Sequence, residues 1–375
     1  MSTSVLIRIV LIVITAIVLV VYRKRRKAAE GGSTTKLDKK KAKALAARTE
    51  KRQEARRQAL AALEKKRERT SQTLKIGLEG LQQKVAEIGD QKIWYLEGGA
   101  GPGRPTVLLL HGFAGTKEDW SQVGKYLVLQ KLHVVAPDLP GFGQNLRTDD
   151  SYDVTQQTKR IRTFLRHLGL AQLHLAGCSV GGSIAAAYAY SAKDDVLSLT
   201  LVEPFGVKVP YETDLDLALA RGLNPLTVVT PEAYDNLLSF LYAHPPEIND
   251  SIKQVRAEAT AKGRDFYLKM WPEIRGGERA HLLDLLLPEV AAKTLVVQGE
   301  KSRVVHPATA EIIRRMMKDA RAVTIPDCGH FAMAEKPREV ATHLLEFLGR
   351  AAPSGGDEPA GGTPEPGVTL EPAAS

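Results

Sequence analysis

The chain divides into stretches with different hydrophobic patterns. Val5–Tyr22 is a continuous apolar run, VLIRIVLIVITAIVLVVY, interrupted only by Arg8. Lys36–Arg69 has no such run: it is built from Lys, Arg, Ala, Glu and Gln, with leucine only at positions 37, 45, 60 and 63. These are strong helix formers without Pro or Gly, and the apolar stripe is too sparse for a coiled coil. The pattern predicts a solvated helical stalk. At Val85-x-x-Ile88-Gly89-Asp90-x-x-Ile93 the spacing suggests two strands joined by a Gly-Asp turn, so the folded domain is expected to begin near Leu78. Short β-branched or leucine-rich runs then recur at Ile93–Glu97, Val107–Leu110, Val134–Ala136, Leu173–Ala176, Leu197–Val202, Thr294–Gln298 and Ala322–Ile325. Between most of them lie 10–20 residues of helical period, as in Thr155–Leu168. Strands alternating with helices predict an α/β fold, a mostly parallel central sheet flanked by helices on both faces. The alternation breaks once: about 205–288 is a leucine-rich helical region between two strands, read as a cap. Residues 351–375, rich in Pro, Gly and Ala, hold too few large apolar groups to fold and are expected to form a disordered tail. The expected organisation is an anchor with a basic flank over 1–27, a stalk over 28–77, a folded domain over 78–350 and the tail.

Eighteen residues at 1.5 Å rise cover roughly 27 Å, enough for a hydrocarbon core. Arg8 lies close enough to the end of the run to reach the interface. A cleaved signal peptide would put its basic cluster before the apolar run and a small-residue site after it. Here the cluster Arg23, Lys24, Arg25, Arg26, Lys27 follows the run. The reading is a retained single-pass transmembrane helix, with the basic side and the folded domain in the cytoplasm, and a stalk able to touch anionic headgroups.

Charge refines this picture. The chain is 375 residues long with net charge +9. Residues 23–69 carry 19 Lys/Arg against 6 Asp/Glu; with Arg8 the first 69 residues carry +14, so residues 70–375 carry −5. The basic character belongs to the neck, not the folded domain, and with no aromatic residue in it the neck argues against nucleic acid as a partner. Two cysteines, Cys178 and Cys328, form no disulfide framework and fit a reducing compartment.

Three motifs carry chemistry. Gly177-Cys178-Ser179-Val180-Gly181 is a G-x-S-x-G after a predicted strand and before an Ala-rich helical run. Such a turn lifts a serine off the sheet edge, and the glycines let neighbouring backbone approach. Ser179 would then sit at a helix N-terminus, where N–H groups favour negative charge. Leu108-Leu109-Leu110-His111-Gly112-Phe113 ends another strand; the N–H groups of Phe113 and Val180 could converge on one oxyanion, each such donor being worth about 2.7–4 kcal/mol. His111 reads as a hydrogen-bonder holding that loop. Asp327-Cys328-Gly329-His330-Phe331 follows the last predicted strand and offers His330 as the base that a serine needs. His133 and His174, in or beside strands, read as packing residues. Trp120, just past the oxyanion loop, is a candidate pocket-lining residue.

These stretches, with Asp138-Leu139-Pro140-Gly141-Phe142-Gly143 and the GHFAMAEKP run from Gly329, resemble the α/β-hydrolase superfamily. Asn224-Pro225-Leu226 and Leu241-Tyr242-Ala243-His244-Pro245-Pro246 make the cap similar to that of the membrane-anchored monoacylglycerol lipases and their bacterial relatives. The resemblance covers roughly 80–350 and implies an α/β-hydrolase fold and cleavage of acyl esters of hydrophobic substrates, such as monoacylglycerols. The acyl chain would lie near Leu237, Leu238, Phe240, Leu241 and Tyr242, which read equally well as cap core. No metal or organic cofactor is implied.

The resemblance fails at one place. The family carries its acid in a G-x-x-D motif after the seventh strand; here the stretch is Gly299-Glu300-Lys301-Ser302. A hydroxyl can orient an imidazole but cannot stabilise imidazolium as a carboxylate does. Some members, certain haloalkane dehalogenases among them, place a glutamate after the sixth strand instead, which points to Glu203; Glu300 is the weaker contender. Dehalogenation itself would need an aspartate at position 179. Two further readings stay open: a carbon–carbon hydrolase of ring-cleavage products, and a scaffold that has lost its acid.

Overall fold

The computed structural model describes residues 80–227, 230–248, 250–276 and 280–352. The expected anchor and stalk, and the tail beyond residue 352, lie outside the described residues. Among the described residues, no helix is long and apolar enough to cross a membrane.

Strand β1 (Leu81–Ile88) turns back at Gly89-Asp90 into β2 (Gln91–Gly98), and the two pair antiparallel. Gly89 takes φ +58°, a left-handed value that glycine adopts without a Cβ penalty. Then follow β3 (Thr106–Leu110), β4 (His133–Pro137), β5 (Leu173–Cys178), β6 (Val196–Val202), β7 (Thr294–Gly299) and β8 (Ala320–Ile325). The sheet order is β1-β2-β4-β3-β5-β6-β7-β8, parallel from β4 to β8.

Side-chain alternation builds two cores. Leu108, Leu110, Val135, Leu175, Leu199 and Val296 face one side of the sheet. Val107, Leu109, Val134, Ala176, Val202 and Val297, at the alternate positions of the same strands, face the other. Helices α1 (Ser121–Leu129) and α11 (Pro337–Phe347) cover the second side through Val123, Leu127, Val340 and Leu344. Helices α2 (Val154–His167), α3 (Val180–Ser191) and α9 (Thr309–Met316) cover the first through Ile161, Phe164, Ile184 and Ile313. The interruption between β6 and β7 contains α4 (Asp214–Ala220), α5 (Pro231–Leu241), α6 (Asp250–Lys262), α7 (Arg264–Arg275) and α8 (Leu282–Leu286). The short α10 (Ala332–Glu335) follows β8.

The loops after β3 and β4 are locked by a buried ion cluster. Asp138 accepts hydrogen bonds from Lys117 N (2.9 Å), Lys117 Nζ (2.9 Å) and Gln144 N (3.0 Å). Lys117 Nζ also donates to Gln144 Oε1 (2.9 Å) and pairs with Glu118 (2.9 Å). Burial pulls the Lys117 ammonium down, but Asp138 and Glu118 outweigh it and hold its pKa above the usual value. Gly143 (φ +53°) closes over the cluster; a Cβ there would lie 2.2 Å from Asp138 Cγ, so only glycine fits. His111 ties the same two loops: Leu139 N–H donates to Nε2 (2.8 Å), and Nδ1–H donates to Gly112 O (2.8 Å). Complete burial lowers its pKa to about 4 and keeps the ring neutral.

Removing the cation of this cluster leaves Asp138 charged and buried, which costs about 3–5 kcal/mol. Lys117→Met is therefore expected to lower the urea midpoint by that amount of stability, and Lys117→Met/Asp138→Asn to recover part of it. An unchanged midpoint would show that the pair does not hold the loops.

Candidate active site

Ser179 sits between β5 and α3 with φ 53° and ψ −120°, a strained conformation for a residue with a side chain. Its N–H donates to Val202 O (3.0 Å). Both motif glycines are sterically required. A Cβ on Gly177 would meet Gly181 O at 2.3 Å, and one on Gly181 would meet His111 O at 2.3 Å and Leu110 O at 2.4 Å. The turn is thus packed between its own helix and the loop after β3.

That loop brings Phe113 close. Gly112 lies against the serine: a Cβ added there would stand 3.2 Å from Ser179 Cβ and 3.8 Å from Oγ. Val180 opens α3, so its N–H has no carbonyl of its own helix to bond. The Phe113 ring packs edge-on against Trp271 (4.9 Å between centroids) and Tyr267 (5.6 Å), which joins the loop to α7.

His330 lies buried in the loop after β8. Its Nδ1–H donates to Glu203 Oε2 at 3.1 Å. Glu203 follows β6 directly, takes φ +50° and is fully buried. Its backbone N–H donates to Val297 O (2.9 Å). Its carboxylate accepts from Gln298 Nε2 (2.6 Å) and Gly299 N. Burial pushes the Glu203 carboxyl above its ordinary pKa, against the pull of His330, Gly299 and Ser302. Ser302, where the family it resembles carries an acid, accepts Val305 N–H (3.4 Å) and helps to lower the pKa of the carboxyl that comes from the neighbouring strand.

The His330 loop is braced by the end of α5. Phe331 N–H donates to Leu241 O (2.8 Å), and a Cβ on Gly329 would clash with Ala243 N at 2.6 Å. Glu335 accepts from Gly329 N (2.7 Å), His244 N (2.8 Å) and Ala243 N (3.1 Å). Sequence reasoning missed Glu335 and Gln298. A buried polar residue at the end of the apolar run Thr294–Gly299 was the available signal for Gln298.

Ser179 and His330 share a cleft of about 870 Å³, counting space open to solvent. Gly112, Phe113, Thr116 and Asp119 line it from the loop after β3, and Tyr234, Leu237, Leu238 and Leu241 from α5, with Leu226, Thr260 and Phe331. Trp120 is a correction to the sequence reading. It is buried in the core with Val123 and Leu127 and is not part of the cleft wall. It ends a 3₁₀ turn (Lys117–Trp120), in which successive side chains point about 120° apart, so Asp119 faces the cleft and Trp120 faces the sheet. Glu300 is exposed, and its carboxylate accepts Asp327 N–H (3.0 Å) instead of meeting His330. Cys178 and Cys328 are buried free thiols that burial pushes up, far from a reactive thiolate. His133 bonds Glu97 (2.9 Å) and His174 bonds Ser198 (2.8 Å), both away from the cleft. Among the described residues, no group of three or more His, Cys, Asp or Glu could hold a metal ion.

A family model for the α/β hydrolase fold matches residues 105–337. The monoacylglycerol lipase abhd6-A of Xenopus laevis is 29% identical over 284 residues, covering 72% of this chain and 82% of its own. Lipase 1 of Psychrobacter immobilis is 31% identical over 265 residues, covering 69% and 81%. A solved bacterial structure, described as a membrane phospholipase A and virulence factor, superposes with TM-score 0.70 at 34% identity, covering 82% of this chain and 96% of that one. With its strand order, its serine turn and these matches, the chain belongs to the α/β-hydrolase family, as a hydrolase of lipase/esterase type near the monoacylglycerol lipases.

Proposed function

We propose that the chain cleaves acyl esters of hydrophobic substrates through an acyl-Ser179 intermediate. The observation that carries this reading is the strained serine turn sharing a cleft with a histidine whose Nδ1–H is bonded to buried Glu203. With Nδ1 protonated, Nε2 of His330 is the basic nitrogen. It takes the Ser179 proton as Oγ attacks the acyl carbon, then gives it to the departing alcohol oxygen. Water, deprotonated by the same nitrogen, releases the acid and restores Ser179. Glu203 stabilises the imidazolium that forms on each pass. The N–H groups of Phe113 and Val180 receive the oxyanion.

The cleft supports an uncharged acyl chain. Leu226, Tyr234, Leu237, Leu238, Leu241 and Phe331 line it, and the described lining residues include no Lys or Arg. A ring-cleavage product bearing a carboxylate would enter without a countercharge, which favours the ester reading over carbon–carbon hydrolysis. Ser179, His330 and Glu203 together argue against a scaffold that has lost its acid.

We also infer a membrane tether at Val5–Tyr22, with the Arg23–Lys27 side and the hydrolase domain cytoplasmic. The apolar run and the basic cluster after it support this, as does likeness to a membrane phospholipase A. Tethering would concentrate the enzyme where hydrophobic esters are.

A fluorophosphonate probe is expected to label the wild type and to leave Ser179→Ala unlabelled; labelling that survives the substitution would refute the nucleophile. Glu203→Gln is expected to lower kcat about 10⁴-fold, measured on a panel of p-nitrophenyl esters and monoacylglycerols; near-full turnover would remove Glu203 from the mechanism. For the tether, full-length protein should stay in the membrane fraction through alkaline carbonate and leave it only with detergent, whereas the chain lacking residues 1–27 should be released without detergent. Carbonate release of the full chain would contradict an integral anchor.

A further inference from the structure

Gln298 is a fully buried amide in a strand whose other members, Thr294, Leu295, Val296, Val297 and Gly299, are small or apolar apart from one hydroxyl. Burying an amide is unfavourable unless its hydrogen bonds are made. Its Nε2 lies 2.6 Å from Glu203 Oε2 and 3.4 Å from Val305 O. Its Oε1 has no hydrogen-bond donor among the described residues. The reverse orientation would set Oε1 against a carboxylate oxygen, so the chemistry of the contact assigns the nitrogen to Glu203. The amide therefore makes one short bond to a charged acceptor and leaves its own acceptor unmatched.

The oxygen it meets is Oε2, the same atom that accepts Nδ1–H of His330. Three successive residues of β7 take part in holding Glu203: Val297 O accepts its backbone N–H, Gln298 Nε2 bonds Oε2, and Gly299 N–H bonds Oε1. Glu203 needs such support. Its backbone is in the left-handed region, and without donors its buried carboxyl would favour the protonated form.

We propose that Gln298 is a positioning residue of the hydrolytic site, which fixes Glu203 Oε2 toward His330 and keeps that carboxylate ionised. The inference rests on the reading of Glu203 as the acid of the site. Gln298 touches neither substrate nor the reacting atoms; it acts through Glu203 alone. Titratable groups that face Glu203 are His330 from the loop after β8 and the buried thiols Cys178, at the end of β5, and Cys328. The thiols stay neutral, so the site's charge depends on Glu203 and His330.

The test is a double-mutant cycle with Gln298→Met, which is close in size and lacks the donor, and Glu203→Gln. Gln298→Asn, whose amide falls one methylene short, is the companion variant with the same expectation if the methionine does not fold. Gln298→Met should lower kcat about tenfold, the scale of a lost hydrogen bond to a charged group, with KM unchanged. The acidic limb of kcat/KM should move to higher pH, because a carboxyl with one donor fewer takes up its proton sooner. In the Glu203→Gln background, read by the rate of Ser179 fluorophosphonate labelling, Gln298→Met should have no further effect. If Glu203→Gln is slow but Gln298→Met stays within twofold of wild type, or its effect adds in full to that of Glu203→Gln, the positioning role is overturned while the acid stands. If Glu203→Gln is itself near wild type, the reading beneath both is overturned.

Discussion

Everything at this site depends on holding one carboxylate away from water. Glu203 is fully buried at the end of β6, where an isolated charge would give up its ionisation. It is met by donors from two places: the end of β7 and the imidazole after β8. The parallel register of β6 and β7, with Val202 opposite Val297, sets those donors at its side. His330 in turn gains a fixed orientation, and its second nitrogen is left for the cleft it shares with Ser179.

The rest of the molecule can be read as support for that geometry. The serine turn is tight because Gly177 and Gly181 admit backbone where a side chain would clash. The loop that carries Phe113 is held by the buried Lys117–Asp138 cluster and by neutral His111. The loop that carries His330 is held by Glu335 and by the end of α5. Each of the three loops is thus tied to something other than its own strand. Loops fixed in this way let a polar constellation keep its shape beneath a cleft lined mostly by apolar side chains.

Local pattern made much of this legible. The β1–β2 hairpin could be read from Gly89-Asp90 between alternating apolar positions, and the serine turn from its place between a strand and an Ala-rich helix. His330 followed from chain order. Other features are set by contacts remote in sequence. Glu203 and Gln298 lie 95 positions apart and meet only because β6 and β7 are neighbours; no local pattern contains that pairing, and a serine at position 302 only signalled that an acid had to come from elsewhere. Trp120 was misjudged because the phase of a 3₁₀ turn, not sequence distance from the loop, decides which way its ring points.

His330 is held by Glu203. The most direct test of this contact is the proton on His330 Nδ1, observed by ¹⁵N-edited NMR of histidine-labelled protein and assigned by its loss in His330→Gln. A downfield imidazole N–H is expected, which Glu203→Gln displaces or removes and Glu300→Gln leaves in place. A resonance indifferent to Glu203→Gln but lost with Glu300→Gln would contradict it.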